Sequence, residues 1–446
     1  MTATGQEAWI YNDLAKQYGH LIRISPNTIL TDDPDVLRRI SSVRGTYNKD
    51  PFYSASFKLP GHETMFSTTD TPTHDAIKAK LAGPYGGRET LAMEPIVDDM
   101  VRALHQHIRD KVSRGPGRTS VVNFANVVNY FAMDVITRVS FGRELGFLRK
   151  DSDVFGLITQ ARAALKTYTI PMSVPWLRYI TTSKYFLKAF GPKTTDKSGP
   201  GFVIGILEET IKKRYEPGFP DEKDLLGAFI RNGLPLGPCI SEALFAMSAG
   251  ADTTASTIRS TMLYLMTTPR VYQKLKQVVR QSVKEGGVSS PIKSDEGKAI
   301  SYIQAVIYEG LRMRPPAPIK FPKVVPPQGD EIDGKFIPGG TAVGWNLIPM
   351  MRSPRHWGHD GDIFRPERFT EADENTRANM ERLVEMAFGH GRFGCAGKPL
   401  AFMELNKLFR HFDFQLVNPA KPWKSELWSV WMDDNYFVQV TESPVD

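Results

Sequence analysis

Ile240, Leu244, Met247, Ala251, Ala255, Ile258, Met262 and Leu265 recur at three- and four-residue steps, the spacing of one apolar helix face. The run predicts a single helix of roughly seven turns at ~3.6 residues per turn, closed by Pro269. Few globular helices are that long, so it should cross the whole molecule, with the rest of the chain packed around it. Its middle reads Ala249-Gly250-Ala251-Asp252-Thr253-Thr254. Glycine inside a helix costs about 1 kcal/mol against alanine; a large, flat partner pressed against Ala249 and Gly250 would account for it. Thr253 can bond the carbonyl four residues back or release it, and an acid beside a hydroxyl can relay protons. A small-residue helix crossing with a polar edge is the structural alternative.

The second constraint is Phe388-Gly389-His390-Gly391-Arg392-Phe393-Gly394-Cys395-Ala396-Gly397, which holds four glycines and one of only two cysteines in the chain. Ala401, Leu405, Leu408 and Phe412 follow with helical spacing, and Pro399 suits that helix's first turn. Cys395 is therefore expected in a glycine-bent loop at a helix N-terminus, where amide donors and the helix dipole favour a readily ionised thiol. Gly391, Gly394 and Gly397 permit φ > 0 and close backbone approach to a flat object. Phe388 is placed to cover the buried side of the sulfur. Such an arrangement describes a thiolate-ligated haem iron; a lone buried cysteine in a core is the plainer alternative.

Composition sets the class. With 446 residues, 41% hydrophobic and 24% charged, the chain can enclose a large cofactor and a substrate cavity. No repeat, low-complexity tract or long linker divides it, so one domain over residues 1–446 is expected. Cys239 and Cys395 cannot build a disulfide framework or a four-sulfur zinc site and fit a reducing compartment. The net charge of +7 is scattered, without a basic tract interleaved with aromatics, so nucleic acid is not expected as a partner. The N-terminus has no apolar run near the ~18 residues of a membrane span and no secretory signal.

Elsewhere, helical patterning covers Ala8 to Tyr18. A hairpin pairs Leu21–Ile24 with Thr28–Leu30, and Asp33-Pro34 caps a helix reaching about Val43. Asn123 to Gly142 reads as a buried helix with one apolar stripe. Residues 151–220 alternate aromatics with prolines. Asp70, His74 and Lys78 share one helix face, as do Glu309 and Arg312 on a helix beginning near Tyr302. Ala317–Val325 and Glu331–Trp345 read as strands, with turns at Asp333-Gly334 and Gly339-Gly340, and a final hairpin lies around Trp431 to Phe437.

The cysteine stretch resembles the haem-binding loop of the cytochrome P-450 family, Phe-x-x-Gly-x-basic-x-Cys-x-Gly: Phe388, Gly391, Cys395 and Gly397 match in register. Where many members carry the basic residue, this chain has Phe393, with Arg392 one place earlier. The Ala249–Thr254 stretch is similar to the family's oxygen-activation motif, and Glu309-x-x-Arg312 with Phe364-Arg365-Pro366-Glu367-Arg368-Phe369 to its charge triad. The resemblance runs from about Ala8 to the end, and is closest to filamentous-fungal secondary-metabolism members of the pisatin demethylase-like kind. It implies a mainly α fold with small β-sheets (α+β), the long central helix lying over haem b (iron protoporphyrin IX, axial Cys395 thiolate).

By the same resemblance Thr253 orders water and hands protons to dioxygen, Asp252 feeds that relay, and Gly250 leaves room for the dioxygen. His74, Lys78, Arg392 and Lys323 are the candidates to meet the haem propionates, Lys323 standing where many members place an arginine. Glu309, Arg312 and Arg368 form the structural triad. Residues 151–220 form a lid over a substrate cavity lined by Phe52, Tyr53, Phe57, Ala249, Ile319, Phe321 and Met432.

The activity implied is that of a monooxygenase inserting one atom of O2 into a lipophilic small molecule in fungal secondary-metabolite biosynthesis. Alternatives are an electron-independent haem-thiolate isomerase or dehydratase, whose known members tend to lack the acid–threonine pair, and a non-catalytic haem-binding protein. No flavin or dinucleotide fingerprint is present, so electrons would come from NADPH through a separate NADPH-cytochrome P-450 reductase, with cytochrome b5 as an optional second donor. Lys398, Lys407 and Arg410 are candidates to face an acidic reductase. Eukaryotic members begin with a membrane anchor and a proline-rich hinge, and this chain is expected to start just after that point. The anchored alternative puts it on the cytosolic face of the endoplasmic reticulum, the anchorless one in the cytoplasm.

Overall fold

The long apolar run folds as one continuous helix, Leu236–Thr267, of 32 residues, about 48 Å at 1.5 Å per residue. Its interior hydroxyls turn back onto carbonyls four residues earlier: Thr253 to Ala249 at 2.8 Å, Thr257 to Thr253 at 3.0 Å, Ser260 to Ser256 at 2.5 Å. That satisfies polar side chains locally and lets them sit in a buried helix. Pro269 opens the next helix, Pro269–Lys284. The computed structural model describes residues 2–56, 63–87, 93–115, 118–197, 199–407 and 412–443.

The central helix packs most extensively on the Phe124–Phe141 helix, which starts at an Asn123 cap and ends at Gly142 in the left-handed region, φ 73°. Gly250 sits at this crossing. A Cβ there would lie 2.9 Å from Ile136 Cδ1, so what presses on Gly250 is a neighbouring helix. The crossing by itself calls for a small residue at this position. One contiguous apolar core surrounds the pair, drawing residues from Ile29 to Val440.

The sheets lie to the sides. Strands Leu21–Ser25, Thr28–Thr31, Ala342–Trp345, Lys323–Val324 and Asn48–Lys49 form one sheet in that order, parallel only between Thr28–Thr31 and Ala342–Trp345. Thr119–Asn123, Phe437–Glu442 and Phe412–Leu416 form a second. Asp333 and Gly334, at φ 54° and 66°, turn the small hairpin Asp330–Ile332/Lys335–Ile337. The helices Leu157–Ser173 and Gly199–Arg214, linked through Pro175–Thr181 and Lys184–Phe190, reach the Phe52–Ser56 helix and the central helix. No described helix is long and apolar enough to cross a membrane.

Several boundaries differ from the sequence expectation. The helix capped by Asp33 ends at Ile40, short of Val43. The strand expected from Ala317 exists only at Lys323–Val324, because Pro318 and Pro322 offer no N–H to a ladder. The C-terminal hairpin pairs Lys424–Trp428 with Val430–Asp434 about Ser429, whose φ is 67°; Phe437 instead opens a strand of the second sheet.

That hairpin is tied to the central helix by buried charge. Asp433 accepts from Arg259 Nε at 3.0 Å, Arg314 Nη2 at 2.8 Å and Ser425 Oγ at 2.7 Å. The Arg314 guanidinium lies between the Trp423 and Trp431 rings, 4.5 and 4.3 Å from their centroids. Burial alone would raise the Asp433 carboxyl, but Arg314 and Arg259 overcome it and hold the group well below the ordinary range. Its stabilisation is therefore present above the unfolded carboxylate pKa and fades only as pH falls through the lower folded value. Replacing Asp433 by alanine leaves Arg259 buried without its counter-charge; a loss of about 3–5 kcal/mol, read as a lower denaturant midpoint, is expected.

Candidate active site

The cysteine loop is shaped by backbone contacts. Cys395 N–H donates to Phe388 O at 2.7 Å and Arg392 N–H to Ser41 O at 3.1 Å. Gly391 has φ 55°, and a Cβ there would fall 2.4 Å from Ser41 O, so both conformation and space demand glycine. Gly394 and Gly397, expected to use the same freedom, have φ −65° and −80°. The Phe388 ring packs on Phe402 at 5.5 Å. The following helix is Lys398–Leu405, with Pro399 in its first turn. Phe412 opens a strand, which breaks the helical spacing projected to it, and Leu408 lies outside the described residues.

Cys395 is exposed, yet burial is the largest influence on its thiol and raises its pKa. The two facts agree if the sulfur faces space enclosed by protein. Amide hydrogen bonds from Gly397 and Lys398 and the charges of Lys78 and Lys398 act the other way without cancelling the burial. The readily ionised free thiol expected from the helix N-terminus is thus not found; a coordinated metal would deprotonate it outright.

Glu309, Arg312 and Arg368 form a buried ion network. Arg312 Nε and Nη2 meet Glu309 Oε2 and Oε1 at 2.7 and 2.8 Å, and Arg368 Nε meets Glu309 Oε1 at 3.1 Å. Arg312 also donates to the carbonyls of Met351 and Gly361, both at 2.6 Å, and stacks 4.8 Å over Trp357. Arg365 N–H adds a 2.7 Å bond to Glu309.

The basic residues divide. Lys78 Nζ donates to Arg392 O at 2.6 Å and clamps the loop backbone. Arg392 turns away: its guanidinium meets the carbonyls of Val43 and Gly45 and lies 3.2 Å from Asp75. These partners hold the Arg392 side chain on the Val43–Gly45 and Asp75 side. His74 Nδ1 is 2.9 Å from Asp75 Oδ1, and burial, with the nearby Lys49 charge, pushes the imidazole down to about 4. Neutral His74 that donates Nδ1–H to Asp75 leaves Nε2 an acceptor. Lys323 is buried, donates to the Tyr53 hydroxyl and to Phe321 O at 3.3 Å, and lies 4.6 Å from the Phe393 ring centroid. Lys49, which periodicity did not mark, lies 5.4 Å from the same ring.

On the central helix, Ser248–Gly250 and Asp252–Thr253 are only half-buried, while Thr254–Met262 are fully buried. An accessible window thus opens mid-helix. Burial raises the Asp252 carboxyl, opposed by the charges of Arg162 and Arg259. Arg162, on the Leu157–Ser173 helix, pairs with Asp434 at 2.5 Å, but its Nε and Nη2 are buried without a partner among the described residues. It is a second charge that the sequence did not single out.

Phe52, Tyr53, Ala55 and Met172 form an aromatic-rich cluster with Phe66, Tyr168, Ile319 and Phe321 against it. Phe321 holds φ 40°, an unusual backbone for an aromatic residue. Ala249 is half-buried in the helix window. Met432 is buried on the hairpin that contacts the central helix and lies outside that cluster; Phe57 lies outside the described residues. Of the proposed reductase contacts, Lys398 pairs with Glu385 at 2.8 Å. Lys407 is buried and held by Glu94, Asp98 and Ile292 O, so it cannot meet a partner. Arg410 is outside the described residues.

Comparison with known proteins agrees with this geometry. Residues 3–440 match the sequence profile of the family described as Cytochrome P450. The chain is similar to "Cytochrome P450 monooxygenase aba1" of Botryotinia fuckeliana, 42% identical over 99% of this chain and 88% of that one. It is similar to the ABA1 monooxygenase of Pyricularia oryzae, 40% identical over 98% and 88%, and to abl1 of Leptosphaeria maculans, 39% identical over 95% and 76%.

Removing the Glu309 carboxylate strands two buried guanidinium groups. Glu309→Ala is expected to lose about 3–5 kcal/mol and to be recovered without haem, measured as the ratio of haem to protein absorbance. A stable, haem-replete variant contradicts this.

Proposed function

The chain belongs to the cytochrome P450 family and is a monooxygenase of it, and from that premise we propose that it inserts one atom of O2 into a lipophilic small molecule of secondary metabolism. The observation that carries this is Cys395, an exposed residue whose sulfur receives hydrogen bonds from the amides of Gly397 and Lys398. These residues fit a haem. One soft sulfur donor with amide hydrogen bonds suits thiolate ligation of iron, and the cations around Phe393 suit a ligand bearing carboxylates. When bound, the haem supplies the redox centre at which O2 and two electrons are consumed, one oxygen atom entering the substrate and the other leaving as water.

The chain's own residues supply protons and position. Two protons are needed for the water formed. Thr253 Oγ1 donates to Ala249 O at 2.8 Å, which leaves its oxygen lone pairs able to accept a hydrogen bond from water in the helix window. Asp252 stands beside it with a carboxyl raised by burial, so it holds a proton at a higher pH than a surface aspartate and can release it to Thr253 or that water. The amide bonds at Cys395 spread charge on the sulfur and orient it. Phe52, Tyr53, Ile319 and Phe321 offer an apolar wall that favours a lipophilic substrate. Electrons come from NADPH through a separate reductase.

The CO-bound reduced protein is expected to show the thiolate-type shift of its main absorption band; its absence would falsify the assignment. Thr253→Ala should keep that band but divert electrons to peroxide, lowering product formed per NADPH consumed. Unchanged coupling would remove Thr253 from the proton path. A ligand screen read by the low- to high-spin shift of the iron identifies the substrate class, with polar ligands expected to give none.

A further inference from the structure

Lys49 and Lys323 are directly opposed partners on the antiparallel strands Asn48–Lys49 and Lys323–Val324. Opposed residues of a strand pair point to the same face, and like charges placed so destabilise the pair. Both are buried, at 5% and 1% exposure. Burial is the main reason both pKa values fall, Lys49 to about 7 and Lys323 well below its ordinary value, and the Lys49 charge lowers Lys323 further. Two ammonium groups in one dry place are expensive to keep, and an arrangement like this points to an anion that joins them.

The protein itself provides neutral acceptors. Lys49 Nζ donates to Met65 O at 2.8 Å and Phe66 O at 2.9 Å, and Lys323 to the Tyr53 hydroxyl and Phe321 O. An ammonium has three donors, so each lysine keeps one. Glu242 is the acid that most favours charged Lys49, but its Oε1 accepts from Met65 N–H. Both ammonium groups flank the ring of Phe393, the residue standing at the position where the family pattern places a cation. Arg392, one residue earlier, is spent on Asp75 and the carbonyls of Val43 and Gly45.

We propose that Lys49 binds one haem propionate, paired with Lys323 at the other, and so supplies from the Asn48–Lys49 strand the charge missing at position 393. This rests on the haem-thiolate assignment above. A carboxylate beside each lysine would take its free N–H, and the like-charge pair then becomes a matched set. Phe393 is tolerated because its ring edge fills the space a guanidinium would take while both lysines gain contact with its face.

The holoprotein tests this through haem loss from the ferric state to excess apomyoglobin, with the CO band of the wild type recorded alongside. Lys49→Gln keeps an amide for the Met65 and Phe66 carbonyls and removes the charge. One lost charge-assisted hydrogen bond predicts haem loss about ten-fold faster, with Lys49→Arg close to wild type. Phe393→Arg added to Lys49→Gln should return the rate to within about two-fold of wild type, a rescue that a merely structural role for Lys49 would not give. If Lys49→Gln is recovered without haem, the same double variant decides: restored haem content supports the proposal and persistent loss overturns it. A wild-type rate in Lys49→Gln, with the CO band intact, overturns the role of Lys49 alone; a wild type without the CO band removes the haem-thiolate assignment itself.

Discussion

Glu309, with Arg312 and Arg368 on its two oxygens, is the interaction on which the rest of this molecule leans. Charges of this kind are costly to bury, and each pole here is compensated. The carboxylate also receives an amide from Arg365. The guanidinium of Arg312 spends its remaining donors on carbonyls of the Met351–Ile363 segment. One carboxylate thereby fixes the Ser301–Met313 helix to a stretch of irregular chain some fifty residues downstream. Loops cannot be held in place by ladder hydrogen bonds, so a dense, directional charge network does it instead.

A second buried network, Arg259–Asp433–Arg314, follows the same logic against the central helix. Against these two balanced sets the Lys49–Lys323 pair stands out, because its protein partners are neutral. Arg162, with Nε and Nη2 buried without a partner among the described residues, is another incompletely matched charge.

The site also shows why a residue's role need not follow its motif. Gly250 belongs to the oxygen-activation pattern, but what its missing side chain makes room for is Ile136. Arg392 is basic and near the loop, yet its geometry commits it to Val43, Gly45 and Asp75. Lys407 is a surface type of residue, yet its side chain is fully buried against Glu94 and Asp98. Each case turns on direction, which a linear pattern does not contain.

Periodicity along the chain was enough to locate the central helix, the Phe124–Phe141 helix and the hairpin at Leu21, because each is a local pattern repeated at 3.6 or 2 residues. Glu309 and Arg312 were readable for the same reason, being one helical turn apart, and Cys395 because its glycines are adjacent in sequence. Tertiary structure alone decided that Lys49 faces Lys323 across 274 residues of chain, that Asp433 anchors two arginines, and that the Cys395 thiol sits where burial outweighs its helix. Those outcomes depend on desolvation and on the direction of side chains from distant elements, and neither quantity exists until the chain has packed.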